Sequence, residues 1–193
     1  MRKKSHILLA RYLADQMIVS ESLQSHRKAF CLGSILPDIR PSFVTKRHEF
    51  FGTFSEIQDQ LCELVKSGKE QCNERVFWRR LGEIIHYIAD YFTFPHNRCY
   101  NGNFFQHNKY EKNLKNQLKT CILSGQADFQ LEEKRQFSDF SDLITFIKER
   151  HIRYMDLVHN VTDDIRYILS VCYQVIQGVM QLCKVSGPSC VIA

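Results

Sequence analysis

An all-α fold, a multi-helix bundle, is what this sequence predicts. Only four prolines and eight glycines occur in 193 residues, so long stretches carry no helix breaker. No segment shows the strict apolar–polar alternation of a half-buried strand, while apolar residues recur at spacings of three and four. The length and the 44% hydrophobic content suit one folded domain, residues 1–185, with enough apolar side chains for a core. Residues 186–193, opening with Ser186-Gly187-Pro188-Ser189, read as a flexible tail.

The elements follow from these spacings. The first helix is expected from about Ser5, a possible N-cap, to Val19, with His6, Leu9, Ala10, Leu13 and Met17 on its inward stripe. A second, short helix leads into Leu32-Gly33-Ser34-Ile35-Leu36-Pro37-Asp38, where glycine and proline mark a break, and a loop carrying Pro41 reaches His48. A third helix spans roughly Phe54 to Lys66. The helix from about Val76 to Phe92 is the expected centre of the fold. At 100° per residue, Leu81, Ile84, Ile85, Ile88 and Phe92 share one side, while His86 and Asp90 lie opposite, flanked by Gly82 and Ala89. Pro95 disfavours helix at Phe94 and puts His96 just past a break. The next helix, Phe105 to Leu123, places His107, Glu111, Leu114, Leu118 and Cys121 on one face. The polar stretch Ser124–Ser138 reads as loop, and helices near Asp139–Val158 and Thr162–Lys184 complete the bundle.

Charge and composition exclude several classes. The net charge of +5 is modest and its Lys and Arg are interleaved with acids, the pattern of a solvated surface more than of a nucleic-acid patch. No run of about 18 apolar residues offers a membrane span. Met1-Arg2-Lys3-Lys4 resembles the basic start of a signal peptide, but His6, Arg11 and Asp15 interrupt any apolar region, so the expected location is the cytoplasm. Eight cysteines without a C-x-x-C pair fit reduced thiols. Asn160-Val161-Thr162 is a glycosylation sequon relevant only to a secreted chain. Cys190-Val191-Ile192-Ala193 has the form of a prenylation box, a pattern that arises easily by chance.

The chemistry concentrates in His86-x3-Asp90-x5-His96-x10-His107-x3-Glu111. Two of its pairs have the i, i+4 spacing that puts both side chains on one helical face, and imidazole with carboxylate is a ligand set suited to zinc. Six of the eight histidines fall between His6 and Glu111. Singly, each residue has a plain structural explanation. His6 fits a hydrogen-bonded core histidine, Asp38 after Pro37 a turn residue, His48 a surface residue, and His86 with Asp90 a solvated face. Together, His6, Asp38, His48, His86, Asp90, His96, His107 and Glu111 are better explained by one cause, a polynuclear zinc site. His151 and His159 read as packing or surface residues.

These motifs resemble the bacterial zinc-dependent phospholipase C family, which is related to zinc-dependent single-strand nucleases. The resemblance runs over roughly residues 5–118, through Ser5-His6-Ile7, the 32–38 segment, His48, the Leu81–Asp90 stretch, Pro95-His96-Asn97 and His107-Asn108-Lys109-Tyr110-Glu111. It implies an all-α fold with two or three zinc ions at the bottom of a cleft. By that likeness Asp38, His48, His86 and Asp90 hold one ion, and His96, His107 and Glu111 a second. Asp90 also reaches a third, which His6 ligates. In secreted relatives the first residue's amino group and carbonyl complete that third site. Here Met1 stands only five residues before His6, so the third ion is expected to be weakly held, completed by water, or absent.

The activity this implies is hydrolysis of a phosphate ester, with a phospholipid headgroup diester as one candidate, by a zinc-bound water that Asp38 orients or deprotonates. Of the aromatic residues near the ligands (Phe50, Phe51, Tyr87, Tyr91, Phe92, Phe94, Phe104, Phe105), most are expected to serve packing, and some to line a lipid or base pocket. The chain has no adjacent His-Asp dipeptide, which counts clearly against a phosphohydrolase built on that pair. A zinc-stabilised binding or structural protein without turnover is the remaining alternative. Nucleic acid is a less favoured partner.

Overall fold

A computed structural model describes residues 1–17, 20–40, 48–68, 73–128 and 135–185. Helices α1 (Lys3–Gln16), α2 (Glu21–Ser25), α3 (Arg27–Gly33) and α4 (Phe50–Ser67) lead to the central α5 (Glu74–Tyr91). A 3-10 turn, Phe94–His96, precedes α6 (Phe104–Leu123), α7 (Phe140–Met155) and α8 (Val161–Val185). Among the described residues there is no strand, and the bundle is all-α as the spacing of apolar residues requires. The tail and its Cys190 box lie outside the described residues, as does most of the Pro41 loop.

One buried cluster runs through the helices, from Leu9 and Leu13 of α1 and Phe77, Leu81, Ile84 and Ile88 of α5 to Ile168, Leu169, Val175 and Val179 of α8. Helix α5 is enclosed by α3, α4 and α8, while α6 packs on α1 and α8. Both faces of α5 are therefore covered: Ile84 and Ile88 bury against apolar neighbours, and His86 and Asp90 are equally enclosed, each with no exposed surface. A face of His and Asp buried this deeply demands partners.

Local chemistry sets the helix starts. Asn73 accepts from the Val76 N–H at the head of α5, and Asn103 forms a capping box with Gln106 at the head of α6. Helix α1 departs from expectation. It begins at Lys3 with no side-chain cap, so Ser5 is an interior residue, fully buried, with no hydrogen-bond partner for its hydroxyl. The predicted stripe of α1 is buried throughout. Helix α4 starts four residues earlier than expected, at Phe50. Phe50 stacks face to face on His151 with ring centroids 3.8 Å apart, which extends the apolar seam beyond Phe54. No helix is long and apolar enough to cross a membrane among the described residues.

Helix α3 meets α5 backbone against backbone. A Cβ on Gly82 would lie 2.2 Å from the Phe30 carbonyl oxygen, and one on Gly33 would lie 2.0 Å from that of Arg79. Only glycine at both positions lets the backbones meet. That contact brings the end of α3, and the Ser34–Asp38 segment beyond it, onto the His86–Asp90 face of α5.

Candidate metal centre

Five elements deliver the eight candidate residues. Helix α1 brings His6, the segment after α3 brings Asp38, and the residue pair before α4 brings His48. Helix α5 brings His86 and Asp90, the 3-10 turn brings His96, and α6 brings His107 and Glu111. His48 is 5% exposed and so not a surface residue, while Asp38 and Glu111 are each 8% exposed.

Asp90 is the hub. Its Oδ1 accepts from the Met1 ammonium and stands 3.2 Å from His6 Nε2. Its Oδ2 lies 3.1 Å from His48 Nδ1, 3.4 Å from His86 Nε2 and 3.5 Å from His96 Nδ1. Burial alone would raise the carboxyl, but His96, the Met1 ammonium, His6 and His86 outweigh it and hold Asp90 well below the usual carboxylate range.

His86 Nε2 is the second point of convergence. His48 Nδ1 is 3.0 Å from it, Asp90 Oδ2 3.4 Å and Asp38 Oδ1 3.7 Å. On its other side, the His86 Nδ1–H donates to the Ser34 carbonyl at 2.8 Å. That bond fixes the proton on Nδ1 and turns the Nε2 lone pair toward the cluster, the outer-shell arrangement of a metal-ligating histidine. At the far end, Glu111 Oε1 lies 3.1 Å from His96 Nε2 and 3.3 Å from His107 Nε2. Burial would raise Glu111, yet hydrogen bonds from His107 and His96 and the Met1 ammonium push it far below its ordinary range.

These residues fit zinc on three observations. A tetrahedral ion with bonds of roughly 2.0–2.1 Å spaces its ligand atoms about 3.3 Å apart. The separations among His48, His86, Asp90 and Asp38, and among His96, His107 and Glu111, bracket that value. Ligand atoms also gather within 4.8 Å of one another in three groups: His6–Asp38–His86, His48–His86–Asp90 and His96–His107–Glu111.

Second, both ring nitrogens of the buried His6 lack a hydrogen bond, because the 3.2 Å approach to Asp90 has poor hydrogen-bond geometry. Burial, then His86, pushes His6 down to about 3, so its ring is neutral at pH 7 and offers a lone pair. An orphaned, neutral, buried imidazole is costly unless a cation completes it.

Third, a cation already sits among these groups. The Met1 ammonium is against Asp90, 3.0 Å from His96 Nε2 and 3.4 Å from Glu111 Oε1. Burial opposes its charge, but Asp90 and Glu111 together raise its pKa. The four residues between Met1 and His6 thus suffice to bring the amino group to the cluster.

The cluster opens to solvent through two cavities. One, of about 490 Å³, is lined by His48, His96, His107, Arg98, Tyr100 and Phe104, with Glu49 opposite Arg98 at 3.4 Å. The other, of about 580 Å³, is lined by Met1, Asp38, His96, His107 and Glu111 together with basic side chains. A centre with both enclosed ligands and open faces is the arrangement of a catalytic metal site more than of a closed structural one.

A family profile described as Zinc dependent phospholipase C matches residues 5–161. The chain belongs to the zinc-dependent phospholipase C family. No curated protein and no solved structure matches it. The match carries the zinc-dependent phospholipase C assignment beyond the residues whose motifs show it, into α7 and the first residue of α8.

Sequence reasoning missed two contributors. The Ser34 carbonyl orients His86, and Ser34 stands in the Gly–Pro segment, residues 32–38, that shares the family motif. Asp164, fully buried, accepts from the Phe94 N–H at 2.9 Å, the Tyr110 hydroxyl at 2.9 Å and the Tyr154 hydroxyl at 2.7 Å. It ties the turn carrying His96 to the helix carrying Glu111. In the sequence it is half of an Asp163-Asp164 pair opening a helix, where acids are ordinary, so nothing there distinguishes it. His151 is a packing residue: its Nε2 lies 3.2 Å from the Asn97 side-chain oxygen. Of the nearby aromatics, Tyr91 and Phe92 are buried, whereas Phe51, Phe104 and Phe105 are exposed.

Proposed function

We propose that this protein is a zinc-dependent phosphoric ester hydrolase that cleaves a phosphodiester, with water as the nucleophile. The observation that supports the reading best is the convergence of Asp38, His48 and Asp90 on His86 Nε2 at ligand-like spacing beside open cavities. Zinc, when bound, supplies Lewis acidity that acidifies the water and offsets the charge of the phosphate oxygens.

In this reading His6, Asp38, His48, His86, Asp90, His96, His107 and Glu111 are the ligands. Asp38, His48, His86 and Asp90 serve one ion and His96, His107 and Glu111 another. His6, Asp90 and the Met1 amino group face a third position. Asp38 also takes the proton of the attacking water. It lines the open cavity, and burial followed by the nearby Asp90 charge raises its carboxyl, which favours accepting a proton. Ser34 holds the His86 ring in its tautomer, and Asp164 holds the His96 turn against α6. Family membership favours a phospholipid headgroup diester as substrate.

The test is hydrolysis of bis(p-nitrophenyl) phosphate by zinc-loaded protein, with His86→Ala and Asp90→Asn as controls. Turnover that falls by about two orders of magnitude or more in both variants is expected. Full zinc binding with no turnover of any phosphate ester would instead identify a zinc-stabilised protein without catalysis.

A further inference from the structure

The cavity on the Met1 side of the centre carries a charge pattern that the hydrolytic reading does not use. Besides Asp38, Glu111 and the Met1 ammonium, all committed to the metal cluster, its charged lining is Arg2, Lys3, Lys4 and Lys115. Arg2 is anchored at the wall, its Nη2 donating to the Asn108 carbonyl at 2.9 Å. Lys3 and Lys4 are exposed and Lys115 is half-buried, and none of the three has a carboxylate partner among the described residues. Lys115 stands one helical turn beyond Glu111 on α6, so it continues the ligand row of His107 and Glu111 toward the cavity mouth.

The placement works against the fold's own stability. Lys3 and Lys4 occupy the first turn of α1, the positive end of the helix dipole, and that turn contains no acidic residue. Cations there are unfavourable, and acids are what a helix start ordinarily carries. Three cations gathered at that end, with a fourth facing them from α6, also repel one another. Asp90 and Glu111 engage the Met1 ammonium, which leaves Lys3, Lys4 and Lys115 as cations at the cavity that an incoming anion could meet. A quaternary ammonium headgroup would meet this wall with like charge, whereas a phosphate would meet guanidinium and ammonium donors.

We propose that this cavity is a subsite for a second phosphate, so that the preferred phosphodiester carries another phosphate group close to the scissile one. The inference rests on the hydrolase reading for the position of the scissile phosphate, and its own claim is the anion subsite beside the centre.

Titration calorimetry on the zinc-loaded protein, comparing inositol 1-phosphate with inositol 1,4-bisphosphate, tests the subsite without turnover. The bisphosphate is expected to bind about tenfold tighter at low salt, and the gap to narrow as ionic strength rises. The double variant Lys4→Glu/Lys115→Glu is expected to abolish the gap, with its circular dichroism unchanged because both side chains reach solvent. Equal affinities in the native protein, or a gap that survives the charge reversal, would overturn the proposal.

Turnover of glycerophosphoinositol against its 4-phosphate should follow the same order in kcat/KM. If the binding gap is present but neither diester nor bis(p-nitrophenyl) phosphate is cleaved, the subsite stands and the hydrolase reading falls. Presenting the same two headgroups as lipids in mixed micelles identifies the source. A larger preference there than in solution marks a lipid headgroup, and an equal one a soluble ester.

Discussion

Replacing Gly82 by alanine perturbs the candidate metal centre without touching a proposed ligand. The new Cβ would stand 2.2 Å from the Phe30 carbonyl oxygen, 3.0 Å from the Ser34 nitrogen and 3.1 Å from the Gly33 Cα. All three atoms are backbone, so no side chain can rotate away. Ordinary contact begins at 3.4 Å, so α3 and α5 must part by about 3.4 − 2.2 = 1.2 Å. Movement of that size along the His86–Ser34 direction would stretch the 2.8 Å bond to about 4 Å and break it. Overpacking costs about 1–3 kcal/mol and the orphaned buried imidazole N–H about 1–3 more. The helix-propensity gain of alanine over glycine returns up to about 1 kcal/mol. The net loss is about 1–5 kcal/mol, which for a chain of this size lowers Tm by roughly 2–20 °C.

Thermal unfolding followed by circular dichroism in the presence of chelator reads this loss. Competition with a chromophoric zinc chelator reads the second effect, a roughly tenfold or greater fall in zinc affinity as Asp38 and Ser34 move off His86. A variant more stable than the native protein by the approximately 1 kcal/mol of an unconstrained helical Gly→Ala change, with unaltered zinc affinity, would refute the close approach and its role in positioning the ligands.

Further outcomes follow from the same geometry. Asp164→Ala leaves one buried and two half-buried donors without an acceptor and is expected to cost about 2–4 kcal/mol at pH 7, measured by urea unfolding. Burial pushes the Asp164 carboxyl up to about 6 against the hydrogen bonds that favour its charge, so between about pH 4 and 6 the folded state binds more protons than the unfolded chain. Its contribution is therefore most favourable below pH 4 and is lost as pH rises through 6. The stability of the native protein relative to Asp164→Asn, both with chelator, should fall by up to about 3 kcal/mol from pH 4 to pH 7, and a difference independent of pH would contradict this. Zinc added to chelator-treated protein should raise Tm in proportion to the logarithm of its free concentration, and His6→Ala should weaken that rise more than His159→Ala. Asp38→Asn should reduce turnover of bis(p-nitrophenyl) phosphate by at least about a hundredfold, with the loss measured at saturating zinc.

Most of the helices were legible because their signals are local. The i, i+3, i+4 stripes of α1 and α5, and the break at Pro95, are properties of a few neighbouring residues. Boundaries shifted where tertiary contacts override local preference: Phe50 joins α4 because it stacks on His151, a residue a hundred positions away. Ser5, read as a cap, lies inside α1 because the Met1 end continues to the Asp90 cluster and draws the helix start back to Lys3.

The candidate ligands were legible as candidates for a different reason. Imidazole and carboxylate at i, i+4 carry their own chemistry, so spacing alone gathered His86 with Asp90 and His107 with Glu111. His6, Asp38 and His48 come from separate elements that no local spacing relates; they joined the set by the conjunction of ligand types, and only the family likeness divided the set among individual ions. The supporting contacts were not legible at all. A backbone carbonyl such as that of Ser34 has no sequence signature, and Asp164 acts through residues 54 and 70 positions away.

The central claim is that these side chains cage divalent cations, and metal analysis of protein purified without chelator tests it most directly. The account predicts more than one zinc per chain by plasma mass spectrometry, with most of that zinc lost in Asp90→Asn, the hub of the cluster. Native protein free of zinc, unable to take it up from a zinc-containing buffer, would contradict it.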